Sequence, residues 1–174
     1  MAKNGAVGQK VAIAPYPNMS ADPSISVQFF GSEEYTLDEK GRVTVPADWL
    51  PGDDESKKGT EFYLVPDTKG ECLRAMLPAR YAQFGATART LPGMDEQKHR
   101  MFMRNFFAQC AKTTTDKQGR ITIPQSYCER FKLKGRIILH ATGDLFEIWN
   151  KEAHAARERL DAPDYATVAG ALGL

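Results

Sequence analysis

Hydrophobic and polar residues alternate most cleanly in two short stretches, Arg42-Val43-Thr44-Val45 and Arg120-Ile121-Thr122-Ile123. Arg and Thr fall on one face and Val or Ile on the other, which is the pattern of a half-buried strand. Each stretch follows a polar turn closed by glycine (Gly41, Gly119) and stops at a proline (Pro46, Pro124). Glycine enters a tight turn at positive φ without a Cβ clash, and proline cannot donate to a strand ladder. Each unit therefore reads turn, cation, strand, stop. Elsewhere the pattern predicts a strand over 27–35 with Gly31 as a bulge or turn, and a short helical turn over 47–50. A charged loop at 51–59 leads to strands over 61–66 and 72–77, joined by a turn at 67–70. Pro78 opens a helix that is predicted to end near Gly85. Asp95 caps a second helix, over 96–109, whose set Met94, Met101, Phe102, Phe106 and Phe107 reads as a core stripe. Strands follow over 110–114, 136–141 and 145–149, with a helical turn over 125–131 and a helix over 151–160.

The two alternating units are copies. Leu37 to Pro46 returns as Thr115 to Pro124, a constant 78 positions later, with Asp, Gly, Arg, Thr and Pro in register and each Val replaced by Ile. A match of that quality marks an internal duplication. The copies organise the chain into a first repeat with helices (27–108) and a second repeat (109–160). A Pro-interrupted arm (1–26) without periodicity is expected to be disordered, and an Ala/Gly-rich tail (161–174) is expected to be flexible. A half of about 45 ordered residues buries too little surface to stand alone, so two halves sharing one core are expected.

Composition excludes more than it selects. With 42% hydrophobic residues the chain can support a core, and no apolar run approaches membrane-spanning length. The N-terminus lacks the apolar region of a signal peptide, and three scattered cysteines without a C-x-x-C read as reduced, cytosolic thiols. No His/Cys spacing suits a metal, and neither a cofactor nor a small-molecule ligand is evident. The net charge of +1 hides an asymmetry: acidic residues dominate 31–61 and basic residues 109–150. There is no nucleophile motif and no phosphate-cradling Gly loop, so an enzyme is not expected.

The repeated Asp-x-x-x-Arg turn resembles that of the MraZ family, transcription factors with a doubled SpoVT/AbrB-type fold. The resemblance runs from about Phe29 to Leu160 and includes Phe30-Gly31, both motif copies and the stretch GDLFEIW at 143–149. The arm ahead of Phe29 departs from the family pattern. The resemblance implies an α+β, mainly β fold: a pseudo-two-fold, swapped-hairpin barrel built from two internal repeats, with peripheral helices. It also implies a homo-oligomeric ring, a cytoplasmic and nucleoid-associated location, and action on G-rich direct repeats in the promoter of the division and cell-wall gene cluster. The segments 78–109 and 151–160 are the candidate subunit contacts.

On this reading Arg42 and Arg120 contact double-stranded DNA, and Lys40 and Lys117 bind phosphate as point charges. Asp38 and Asp116 orient the arginines, while Gly41 and Gly119 make the turns. From the residues alone an alternative is equally open, in which each Arg is neutralised by its Asp and only holds the turn together. The basic run Arg130, Lys132, Lys134 and Arg136 reads as a solvated loop or as further phosphate contacts. A different class of function, an oligomeric scaffold that binds protein and does not touch DNA, draws support from Glu33, Glu34, Asp48 and Asp53 to Glu55 near the first motif.

Overall fold

The computed structural model describes residues 29–51 and 59–174, so the arm expected over 1–26 and most of the charged loop lie outside the described residues. Strands β1 (Ser32–Leu37) and β2 (Arg42–Thr44) flank the first motif turn, and a 3-10 turn at Ala47–Trp49 follows Pro46. Next come β3 (Glu61–Pro66), β4 (Leu73–Met76) and two helices, α1 (Pro78–Thr90) and α2 (Glu96–Ala108). After them come β5 (Ala111–Thr114), β6 (Arg120–Thr122), α3 (Gln125–Arg130), β7 (Gly135–Ala141) and β8 (Phe146–Asn150). The long helix α4 (Lys151–Ala171) completes the chain.

The result is an α+β fold dominated by antiparallel sheet. Six strands pair in the order β1-β7-β8-β4-β3-β5, and β2 pairs with β6 in a separate two-stranded ribbon. Two of the six-stranded sheet's five pairings, β3–β4 and β7–β8, are local hairpins. The other three are long-range and join strands before α1 to strands after α2: β1 with β7, β3 with β5, and β4 with β8. Among the described residues the strands form an open sheet plus a ribbon, with β1 and β5 at the sheet edges.

Alternation along β3 divides the interior in two. Phe62 and Leu64 face one core with Phe29, Trp49, Phe146 and the ribbon residues Val43, Val45, Ile121 and Ile123. These ribbon residues are buried to 1% exposure or less, and hiding each such side chain contributes about 1.5–3 kcal/mol. On the other face Tyr63 and Val65 meet α1 and α2, with Tyr63 stacked on Tyr81 at 4.1 Å and Tyr81 on Phe106 at 5.0 Å.

Three sequence expectations are corrected here. Helix α1 continues past Gly85 to Thr90, because Gly85 is a packing contact and not a stop. A Cβ there would lie 2.9 Å from the Met103 Cε of α2, the flexible end of a side chain, so Gly85 sits beneath that methionine. The apolar set of α2 is no core stripe: no residue of α2 is buried, and Met101 and Phe107 are 57% and 55% exposed. Only Phe106, Phe102 and their neighbours share the aromatic stack. Finally, α4 does not give way to a frayed tail at Leu160 but runs to Ala171 with Pro163 inside it. Alanine is the best helix former, and the carbonyl that Pro163 leaves without a donor is on an exposed segment where water can serve it. The Asn150 side chain caps the start of α4 by accepting from the Glu152 and Ala153 amides, and His154 is buried against His140 at 3.0 Å.

Candidate nucleic-acid interface

Both motif turns are built alike. Gly41 and Gly119 each have φ of +71°, and their amides donate to the Asp38 and Asp116 carbonyls at 2.9 and 3.0 Å. In the first turn Asp38 Oδ1 accepts from the Lys40 and Arg42 amides, both at 2.9 Å, and Oδ2 accepts from Arg42 Nε at 2.7 Å. In the second, Asp116 Oδ1 accepts from the Gln118 and Arg120 amides at 2.8 and 3.0 Å, and Oδ2 from Arg120 Nε at 2.8 Å. Each Oδ2 also meets the Nη2 of its arginine at 2.7 Å. Each carboxylate thus ties a turn and aims a guanidinium with the same four contacts. The hydrogen bond from the Arg42 side chain, reinforced by its amide, pulls the Asp38 carboxyl down to about 2, and Arg120 lowers that of Asp116 in the same way.

The ribbon then fixes where the arginines sit. Arg42 lies opposite Thr122 and Thr44 opposite Arg120. Residues directly opposite in an antiparallel pair share a face, as do residues two apart along a strand. Arg42, Thr44, Arg120 and Thr122 therefore share the solvent face, while Val43 and Ile121 fill the core beneath. The two arginines are diagonal neighbours, a relation that places backbones about 7–8 Å apart. Each turn also supports the other: the Val45 amide donates to the Gly119 carbonyl at 3.0 Å, and the Ile123 amide to the Gly41 carbonyl at 2.8 Å.

The glycines are not equivalent beneath this symmetry. A Cβ on Gly41 would stand 2.7 Å from the Ile123 carbonyl oxygen, whereas one on Gly119 would meet only Leu50 Cδ1 at 3.5 Å. Both replacements incur the left-handed backbone cost, about 1–2 kcal/mol, and Gly41→Ala adds a backbone collision. Urea denaturation of the two alanine variants is therefore expected to show the lower midpoint for Gly41→Ala.

The structure thus gathers all eight predicted positions around one ribbon. Lys40 and Lys117 stand in exposed parts of the turns. Of the basic run after the second motif, Arg130, Lys132 and Lys134 line one cavity, with Arg130 over the Phe131 ring at 5.2 Å, while Arg136 pairs with Glu34, which Lys151 also meets. Glu34, counted above among the acids that support the scaffold reading, is thereby offset. Thr44 and Thr122 complete the polar face, as the period-2 alternation predicts. Gln118 is not a candidate from the sequence: it accepts from Arg120 Nη2 at 3.0 Å, and only that contact reveals it. Among the described residues there is no group of three His, Cys, Asp or Glu that could hold a metal ion, and no helix is long and apolar enough to cross a membrane. Burial pushes the Cys72 thiol well up, so this cysteine behaves as packing.

Fold and site together define a mainly antiparallel α+β protein that displays two carboxylate-braced arginines on one short ribbon. Residues 106–162 match the family model described as "MraZ protein, putative antitoxin-like". The chain is 33% identical over 151 residues to the transcriptional regulator MraZ of Acetivibrio thermocellus, covering 84% of this chain and 99% of that protein. It is 34% identical over 124 residues to that of Lactiplantibacillus plantarum, covering 71% and 83%. With that of Thermoanaerobacter sp. (strain X514) the identity is 35% over 124 residues, covering 70% and 80%. The chain belongs to the MraZ family, whose members matched here are named as transcriptional regulators and not as enzymes.

Proposed function

We propose that this chain is a sequence-specific DNA-binding transcriptional regulator that grips double-stranded DNA with the β2–β6 ribbon. The observation that carries the reading is the placement of Arg42, Thr44, Arg120 and Thr122 on one solvent face, each arginine braced by its own aspartate. A braced guanidinium loses little side-chain freedom on binding and presents its remaining N–H groups in a fixed direction. Lys40 and Lys117 add phosphate contacts that set register without reading sequence.

The exchange of strands between repeats supports reading 27–108 and 109–160 as duplicated units interlocked in the manner of a swapped-hairpin barrel. One ribbon neutralises few phosphates, so affinity comes from several linked copies, and a closed ring with α1, α2 and α4 between subunits supplies them. One subunit per repeat then favours short direct repeats spaced about one helical turn, about 10 bp, in the promoter of the division and cell-wall gene cluster. A nucleoid location in the cytoplasm follows from that role.

The exposed Met101 and Phe107 of α2 favour a second reading, a protein-binding scaffold without DNA contact. Titrating the full chain with duplex from upstream of its own gene across a salt series separates the two. The DNA reading expects log affinity to fall linearly with log salt, by about 0.9 per phosphate neutralised. A flat response overturns it in favour of the scaffold.

A further inference from the structure

The two turns are near-copies, yet their arginines do not have the same groups to offer. A guanidinium carries five N–H donors. In both turns the aspartate Oδ2 engages Nε and Nη2, at 2.7 and 2.7 Å for Arg42 and at 2.8 and 2.7 Å for Arg120. That leaves the outer hydrogen of Nη2 and both hydrogens of Nη1. Two parallel donors, one from each Nη, are what the O6 and N7 acceptors of guanine require. In the second turn Arg120 Nη2 also donates to Gln118 Oε1 at 3.0 Å, so half of that end-on fork is occupied. The in-register residue of the first turn is Lys40, which has no acceptor. Among the described residues Arg42 has no side-chain partner besides Asp38.

We infer that the two turns do different work on the duplex: Arg42 reads a guanine edge through its open fork, and Gln118 confines Arg120 to the phosphate backbone. This rests on the DNA reading of the ribbon given above. The charges of the turns point the same way. Asp38, Glu39, Lys40 and Arg42 sum to zero, whereas Asp116, Lys117 and Arg120 leave one positive charge. A neutral turn gains little from a phosphate and has to draw its affinity from a base, while a cationic turn is suited to anchoring. Gln118 is then a specificity-determining residue that acts by withholding a donor. A ribbon with one reading turn and one anchoring turn recognises a polar site, so a subunit distinguishes the two directions along the duplex despite its internal pseudo-symmetry.

Lysine keeps the charge of arginine and loses its fork, which makes the test direct. Full-length wild type, Arg42→Lys, Arg120→Lys and Gln118→Ala are titrated with the duplex that wild type enriches from a randomised pool, and with poly(dI-dC) as the non-specific reference. Arg42→Lys is expected to lose about tenfold or more in preference for the enriched duplex over poly(dI-dC). Arg120→Lys is expected to keep that preference within about twofold. Gln118→Ala frees the second fork, and repeating the enrichment with it should add a guanine to the selected site. Equal losses from the two lysine variants, a larger loss from Arg120→Lys, or an unchanged selected site for Gln118→Ala would overturn the division of labour. A wild-type chain that shows no salt-dependent duplex binding sinks the DNA reading itself, whereas symmetric losses leave that reading standing and sink only the split.

Discussion

The double variant Arg42→Ala/Arg120→Ala is expected to fold as wild type does and to lose sequence-specific duplex binding, by about tenfold or more for the base contact of Arg42 and further for the phosphate contact of Arg120. Stability should hardly change, because both arginines sit in partly exposed ion pairs, and surface pairs contribute little. The turns also keep their main supports. Asp38 Oδ1 still accepts from the amides of residues 40 and 42, and the two glycine carbonyls still hold the ribbon from the opposite strand. Far-UV circular dichroism and gel filtration should therefore match wild type while a gel shift fails. A double variant that shifts the duplex normally would remove Arg42 and Arg120 from the interface.

The second large effect lies in the core. Phe146 is fully buried, and its ring meets Phe29 at 5.4 Å, Phe62 at 5.5 Å and Trp49 at 5.2 Å. It joins strand β8 to the segment before β1, to β3 and to the turn after β2, so one side chain ties both repeats. Phe146→Ala should cost about 3–5 kcal/mol, a large share of the 5–15 kcal/mol typical of a domain. Urea denaturation is expected to show a much lower midpoint with an unchanged slope. Phe30→Ala, at a side chain 70% exposed, is the control and should move the midpoint little. Similar shifts for both would mean that the Phe146 cluster is not the centre of the core.

Much of this was legible in the chain because the repeated unit encodes its own geometry. The positive φ of Gly41 and Gly119, the burial of Val43 and Ile121, and the bracing of Arg42 by Asp38 all follow from local rules. The local hairpins β3–β4 and β7–β8 were readable for the same reason. Pairings such as Glu61 with Thr114 or Leu73 with Ile148 were not, because nothing near either residue names its partner. Gly85 and the Ala/Gly-rich composition of 161–174 misled in one direction: the first was read as a helix stop and the second as a flexible tail, yet one glycine costs a helix only about 1 kcal/mol and alanine carries α4 through Pro163 to Ala171. The contact between Gln118 and Arg120 is not written in the local pattern, because it depends on side-chain placement in a turn whose glycine takes the same φ as that of its copy.

The interleaving of strands has a consequence for how the molecule comes into being. Ser32 takes its place beside His140, and Glu61 beside Thr114, so the β1 edge cannot close until the residues through His140 have left the ribosome. Until then the early strands offer unsatisfied backbone to any neighbour, and at high expression nascent copies can trade strands with one another as readily as with their own later residues. Assembly is thus kinetically exposed during synthesis, and slower translation through 109–141 would lengthen that vulnerable interval.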